Sequence, residues 1–260
     1  MNSHNHEALR KAFNWRNNTG YSIDEKGLYQ AIVTGPAYKD FSPRTNPGLN
    51  KGKIERALDY LAGEFHKYFI ESTIHGNQKE FDEWHEETCN EFLKLFNTSS
   101  GIKPIQYGKA QKIVNMTFKY LYCCDGAEIY IDKFKYCHMP LDSYTLDWYS
   151  SEVLPWYNKK NESISGWSSL GEEKYTEIQE QIRRYLKDAN HSYKDENGKS
   201  LTPFEVEFYI WPEQKWRKAI KAVLHLEILT EDYPQYSNAA VLKECRELKE
   251  KLERAIRRFE

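Results

Sequence analysis

Residues Gly101–Cys124 read GIKPIQYGKAQKIVNMTFKYLYCC. The stretch holds Lys103, Lys109, Lys112 and Lys119 and no acidic residue, in a chain that is 29% charged with a formal net charge of −2. From about Gly108 to Cys124 the apolar spacing predicts a helix. On it Gly108, Lys112, Asn115, Lys119 and Tyr122 share a polar, cationic face, while Ile113, Met116, Tyr120 and Leu121 share a core-like one. A helix start after a glycine offers backbone N–H groups that bind phosphate, and nearby lysines add to the attraction. An ordinary amphipathic helix with a basic outer face has the same pattern.

Helical spacing continues on both sides. Residues 4–16, a helix opened by the Ser22/Glu25 capping-box spacing, and residues 51–74 and 78–96 precede the basic stretch. Thr34–Asn50 carries Gly35, Pro36, Pro43, Pro47 and Gly48 and reads as a loop or linker. Residues 127–136 fit helix or strand. After the irregular Asn158–Gly171, helices are expected at 172–187, from Thr202-Pro203 to Leu229 with a break at Pro212, and at 237–259. The last of these has a charged side of the kind that is usually solvated, and that could also dock a partner or form a coiled coil. The expectation is an all-α fold of two helical lobes with a cleft between them. Residues 1–260 read as one domain, with a possible linker at 34–50 and a helical extension at 202–260.

Downstream of the basic helix stands Cys137-His138-Met139-Pro140-Leu141-Asp142-Ser143-Tyr144. A helix is expected from near Pro140 to about Tyr149, with Pro140 and Asp142 in its first turn. A carboxylate there is stabilised by the helix dipole, and its apolar neighbours suggest a partly dry setting. Such a group can stabilise a developing positive charge or act as a base toward water. It can also simply cap its helix.

Taken together, the glycine-led basic helix and the Pro-x-Asp helix start resemble the helix–hairpin–helix DNA glycosylase superfamily. GKAQKIVNMTFKYLY followed by HMPLDSYTL is similar to bacterial relatives that attack modified bases in phage DNA. The resemblance runs from Ile102 to about Trp148 and implies a helix-hairpin-helix-like element. It makes Gly108 the hairpin glycine and Asp142 the catalytic aspartate. The chain departs from the family pattern in having a single glycine there and a longer connection, with Asp125–Cys137 inserted. Where bifunctional members carry their Schiff-base lysine it has Ala110, which implies a monofunctional enzyme using water. The partner implied is double-stranded DNA with a modified base, flipped into a pocket and excised to leave an abasic site. Catalysis would fall to Asp142 with Asn115 and Lys112, and phosphate binding to Gly108, Lys109, Lys112 and Lys119. Tyr107, His138 and Tyr144 would line the pocket.

Other chemistry finds little support. Walker, dinucleotide-binding, nucleophile-elbow and zinc-protease motifs are missing. His85 and Cys89 lack a second pair at zinc-finger spacing, so no metal and no cofactor are expected. The odd count of five cysteines and the lack of a signal peptide lead to the expectation of a cytoplasmic protein, and with no run of about 18 apolar residues no membrane span is expected; the oligomeric state stays open, with a monomer as one option. Two rival readings are a helical nucleic-acid-binding module without chemistry and a helical scaffold.

Overall fold

The helix predicted from Gly108 runs over Tyr107–Tyr122, and every one of its residues is buried. The structure, a computed structural model, describes residues 6–17, 22–34, 36–41, 51–71, 76–101, 103–160 and 162–232, and positions 243, 247, 250, 251 and 254. Among these the fold is all-helical and without strands. None of the described helices is long and apolar enough to cross a membrane. The chain divides into a unit of residues 1–209 and one of residues 210–260. The basic stretch and Asp142 both fall in the first unit.

In chain order the helices are α1 (His6–Asn17), α2 (Glu25–Tyr29), α3 (Pro36–Asp40), α4 (Glu55–Phe69), α5 (Gln78–Ser99) and α6 (Tyr107–Tyr122). They continue with α7 (Ser143–Trp148), α8 (Leu154–Trp156), α9 (Glu172–Lys187) and α10 (Pro203–Asp232). α6 is the hub. It packs against α3, α5, α9, the π-turn Gln30–Thr34, the 3-10 stretch Ala127–Phe134 and the short turn Trp167–Ser169.

The core beside α6 is aromatic. The Phe118 ring lies 4.8 Å from Phe65, 5.3 Å from Tyr68 and 5.7 Å from both Phe81 and Trp84, with interplanar angles of 53–77°. Tilted and edge-on pairs of this kind add about 0.5–1.5 kcal/mol each beyond the area they bury. The high aromatic content thus goes largely into packing. Trp148 is buried as well, whereas Trp156 is 42% exposed.

Several expectations are corrected in detail. Asp24, not Ser22, caps α2: its carboxylate accepts from the Gly27 amide at 2.8 Å. The stretch read as a loop from Thr34 contains α3, and Phe41 just after it is fully buried; residues 42–50 lie outside the described set. Pro140 stands outside α7, and Asp142 is its N-cap in extended conformation (φ −139°), not a first-turn residue. α10 continues through Pro212, in place of the expected break. Most of the expected helix 237–259 lies outside the described residues. By contrast, α9 occupies the predicted 172–187, and Thr202 and Glu205 cap α10 reciprocally.

Gly108 owes its identity to packing. A Cβ there would come within 1.8 Å of the Trp167 carbonyl oxygen. Gly108→Ala is therefore expected to destabilise the fold by about 2 kcal/mol or more, since a buried clash against backbone has to be relieved by moving it. Urea denaturation of the purified variant checks this.

Candidate functional site

Asp142 sits where the buried segment 138–141 turns into α7. Its Oδ1 accepts from the backbone amides of Tyr144 (2.9 Å) and Thr145 (3.1 Å). Thr145 Oγ1 accepts in turn from the Asp142 amide at 2.8 Å, which completes a capping box. The other carboxylate oxygen accepts from Lys112 Nζ at 2.9 Å. The Asp142 side chain keeps 13% of its surface and the Lys112 side chain 7%.

Burial works against charge on both partners, and their pairing outweighs it. Desolvation alone would raise the Asp142 pKa, but the Lys112 charge, its hydrogen bond and the Thr145 amide hold it below the usual carboxylate range. Desolvation would likewise lower that of Lys112, yet Asp142, helped by Asp40, carries it above the usual lysine value. The site therefore holds a carboxylate and an ammonium, both charged at neutral pH.

The polar face of α6 points inward, so the cationic outer face expected from the spacing is corrected. Each lysine finds its partner far away in sequence. Lys109 Nζ donates to the Phe41 carbonyl at 3.2 Å and lies 5.2 Å from the centre of the Trp167 ring, with burial lowering its pKa. Lys119 pairs with the buried Glu207 of α10 and lies over the Phe13 and Phe208 rings. Burial, despite Lys119, pushes the Glu207 carboxyl above the usual range. The start of the helix is also occupied: the Gly108 amide donates to the Leu170 carbonyl at 2.9 Å and that of Lys109 to the Gln106 carbonyl at 2.9 Å.

Asn115, Tyr107 and His138 belong to a second, neighbouring polar cluster. His138 lies between Asp82 (2.7 Å from its Nε2) and the Tyr175 hydroxyl (2.8 Å from its Nδ1). Arg183 forks onto the Asp82 carboxylate at 3.0 and 3.3 Å. Asn115 Nδ2 donates to Tyr175 Oη (2.8 Å) and to Gln111 Oε1 (2.9 Å), and its Oδ1 is 3.0 Å from His85 Nε2. The Tyr107 hydroxyl lies 3.4 Å from His85 Nδ1. Tyr107 and His138 are thus buried, while Tyr144 is half-buried on α7. Burial pushes the His85 pKa well below its usual value, and it lowers that of His138 despite Asp82. For Asp82, desolvation raises the pKa, but His138, Gln78 and Arg183 bring it below the usual range.

Sequence reasoning missed Gln111, Tyr175, Gln179, Arg183 and Glu207. A faint signal was present on α5, where Asp82, His85 and Cys89 fall on one helical face between Phe81 and Phe92, polar residues at core spacing. No group of three or more metal-ligating side chains converges among the described residues. No protein-family model matches the chain, and no curated protein or solved structure is significantly similar to it.

These shifts fix how stability responds to acid. His85 and His138 are held neutral, so the unfolded chain binds more protons than the fold below about pH 6.5, and stability falls as pH drops through that window. Asp82 and Asp142 add a further loss below about pH 4, when protons reach carboxylates that the fold keeps ionised. Glu207 acts in the opposite sense. His85→Gln is expected to flatten the decline in melting temperature between about pH 6.5 and 5. Parallel profiles for the variant and the wild type would contradict this.

Proposed function

We propose that this chain is a monofunctional DNA glycosylase that excises a modified base from duplex DNA and leaves an abasic site. The observation that carries the reading is the Asp142 carboxylate, held ionised at the start of α7 by an ammonium group from helix α6. A fixed negative charge in a partly dry setting stabilises the cationic sugar that forms as an N-glycosidic bond breaks. Both Asp142 oxygens already accept hydrogen bonds, so its contribution is electrostatic, and water supplies the nucleophile. Lys112 is kept protonated by Asp142 and is thereby a poor Schiff-base former, which fits excision without strand cleavage. The modified base as substrate, with phage DNA as its source, comes from the resemblance of residues 102–148.

Phosphate contact by Lys109, Lys112 and Lys119 forms no part of this reading, because each is engaged inside the fold. The same burial removes the support for a binding module acting through that face. A second reading has a specific observation behind it: with both carboxylate oxygens occupied, the Lys112–Asp142 pair can serve folding alone.

One assay separates the two. Purified protein is incubated with duplexes and phage genomes carrying modified bases, and released bases and abasic sites are measured. The wild type is expected to release base without breaking the strand. Asp142→Asn keeps a good cap, and it should lose about 100-fold or more in rate while still melting cooperatively. Lack of base release from every substrate, or equal rates for the variant and the wild type, rejects the glycosylase.

A further inference from the structure

The segment from His138 to Leu141 is buried and non-helical, so its backbone groups need partners without a strand alongside. Two glutamines supply them. Gln179 of α9 donates from Nε2 to the Met139 carbonyl at 2.7 Å and accepts from the Met139 amide on Oε1 at 3.2 Å. Gln111 of α6 does the same for the next residue with an amide, donating to the Leu141 carbonyl at 2.8 Å and accepting from its amide at 3.3 Å. Pro140, between them, has no N–H, and its carbonyl accepts from Thr145 Oγ1 at 3.0 Å. A carboxamide carries a donor and an acceptor on one plane, so it can take both groups of a residue; a carboxylate offers only acceptors and a thioether essentially neither.

We propose that Gln111 and Gln179 are positioning residues that hold the Met139 and Leu141 peptides in place and so set the Asp142 carboxylate opposite Lys112. Gln111 and Lys112 are neighbours on α6. One fixes Leu141 and the other meets Asp142, so consecutive residues of the helix grip consecutive residues of the segment. Slippage of the segment by one residue would put Pro140 at a clamp, where there is no amide to donate. Gln111 Oε1 also accepts from Asn115, which ties this clamp to Tyr175 and, through it, to His138. The positioning role rests on Asp142 being the reactive carboxylate.

The test uses the full chain with Gln111→Met and Gln179→Met, which keep bulk and lose the paired hydrogen bonds. Two readouts are taken: the titration of the Asp142 carboxyl by carbon NMR, and kcat and KM for base release. In variants that still melt cooperatively, the Asp142 midpoint is expected to rise toward the ordinary value of about 3.9. The kcat should fall about tenfold or more, with KM changing less than about twofold. If Gln111→Met does not fold, Gln179→Met, which leaves α6 intact, decides. If neither folds, Gln179→Asn, a shorter carboxamide that keeps donor and acceptor without adding charge but does not span the same distance, must show the same changes. Folded variants with unchanged titration and unchanged kcat overturn the proposal. A shifted titration in a protein whose wild type releases no base upholds the positioning and rejects the glycosylase. Base release with neither readout moved does the reverse.

Discussion

Three ammonium groups inside one helix are the constraint on which the rest of this structure depends. Lys109, Lys112 and Lys119 all lie within α6, and all are buried. A buried charge without a partner costs about 3–5 kcal/mol, a large share of the roughly 5–15 kcal/mol by which domains are stable. The fold is therefore strongly favoured when the Phe41 carbonyl, Asp142 and Glu207 arrive at their places. These partners stand 68, 30 and 88 residues away in sequence. The central helix thus cannot be completed by local folding, and the segment after α3, the start of α7 and the first turns of α10 are bound to it. Contacts over such separations slow folding relative to a simple helical bundle.

The same constraint explains what the sequence could and could not show. Helical periodicity is a local property, and it placed α5, α6 and α9 well, along with the Thr202-Pro203 start of α10. Side-chain partners are not local. The acid-free window at 101–124 has the composition of a basic surface helix, but its neutralising groups lie elsewhere in the chain. Composition within a window cannot distinguish lysines that face water from lysines that face distant carboxylates. The same limit applies to Gln111 and Gln179: a glutamine at helical spacing looks like surface, and only the course of the 138–141 backbone between α6 and α9 reveals its use.

Asp142 shows how a cap and a candidate reactive group coincide. The amides of Tyr144 and Thr145, the Lys112 ammonium and the dry surroundings together produce a carboxylate of fixed charge and fixed direction. Those features suit stabilisation of a cation better than proton transfer, since little acceptor capacity is left over. Beside it, the Asp82–His138–Tyr175 chain binds α5 and α9 to the segment that leads into Asp142. The polar interior is in this sense one connected framework, with Gln111 and Asn115 joining its two halves.

The most direct test of an interior built on buried lysines is a double-mutant cycle on Lys112 and Asp142, followed by urea denaturation. Lys112→Met alone leaves a buried carboxylate unpaired and should cost about 3–5 kcal/mol. With asparagine already at position 142 the same substitution should cost about 2 kcal/mol less, because no charge is stranded. An equal cost of Lys112→Met in both backgrounds would show that the two groups are not energetically paired, and would contradict an interior organised around the lysines of α6.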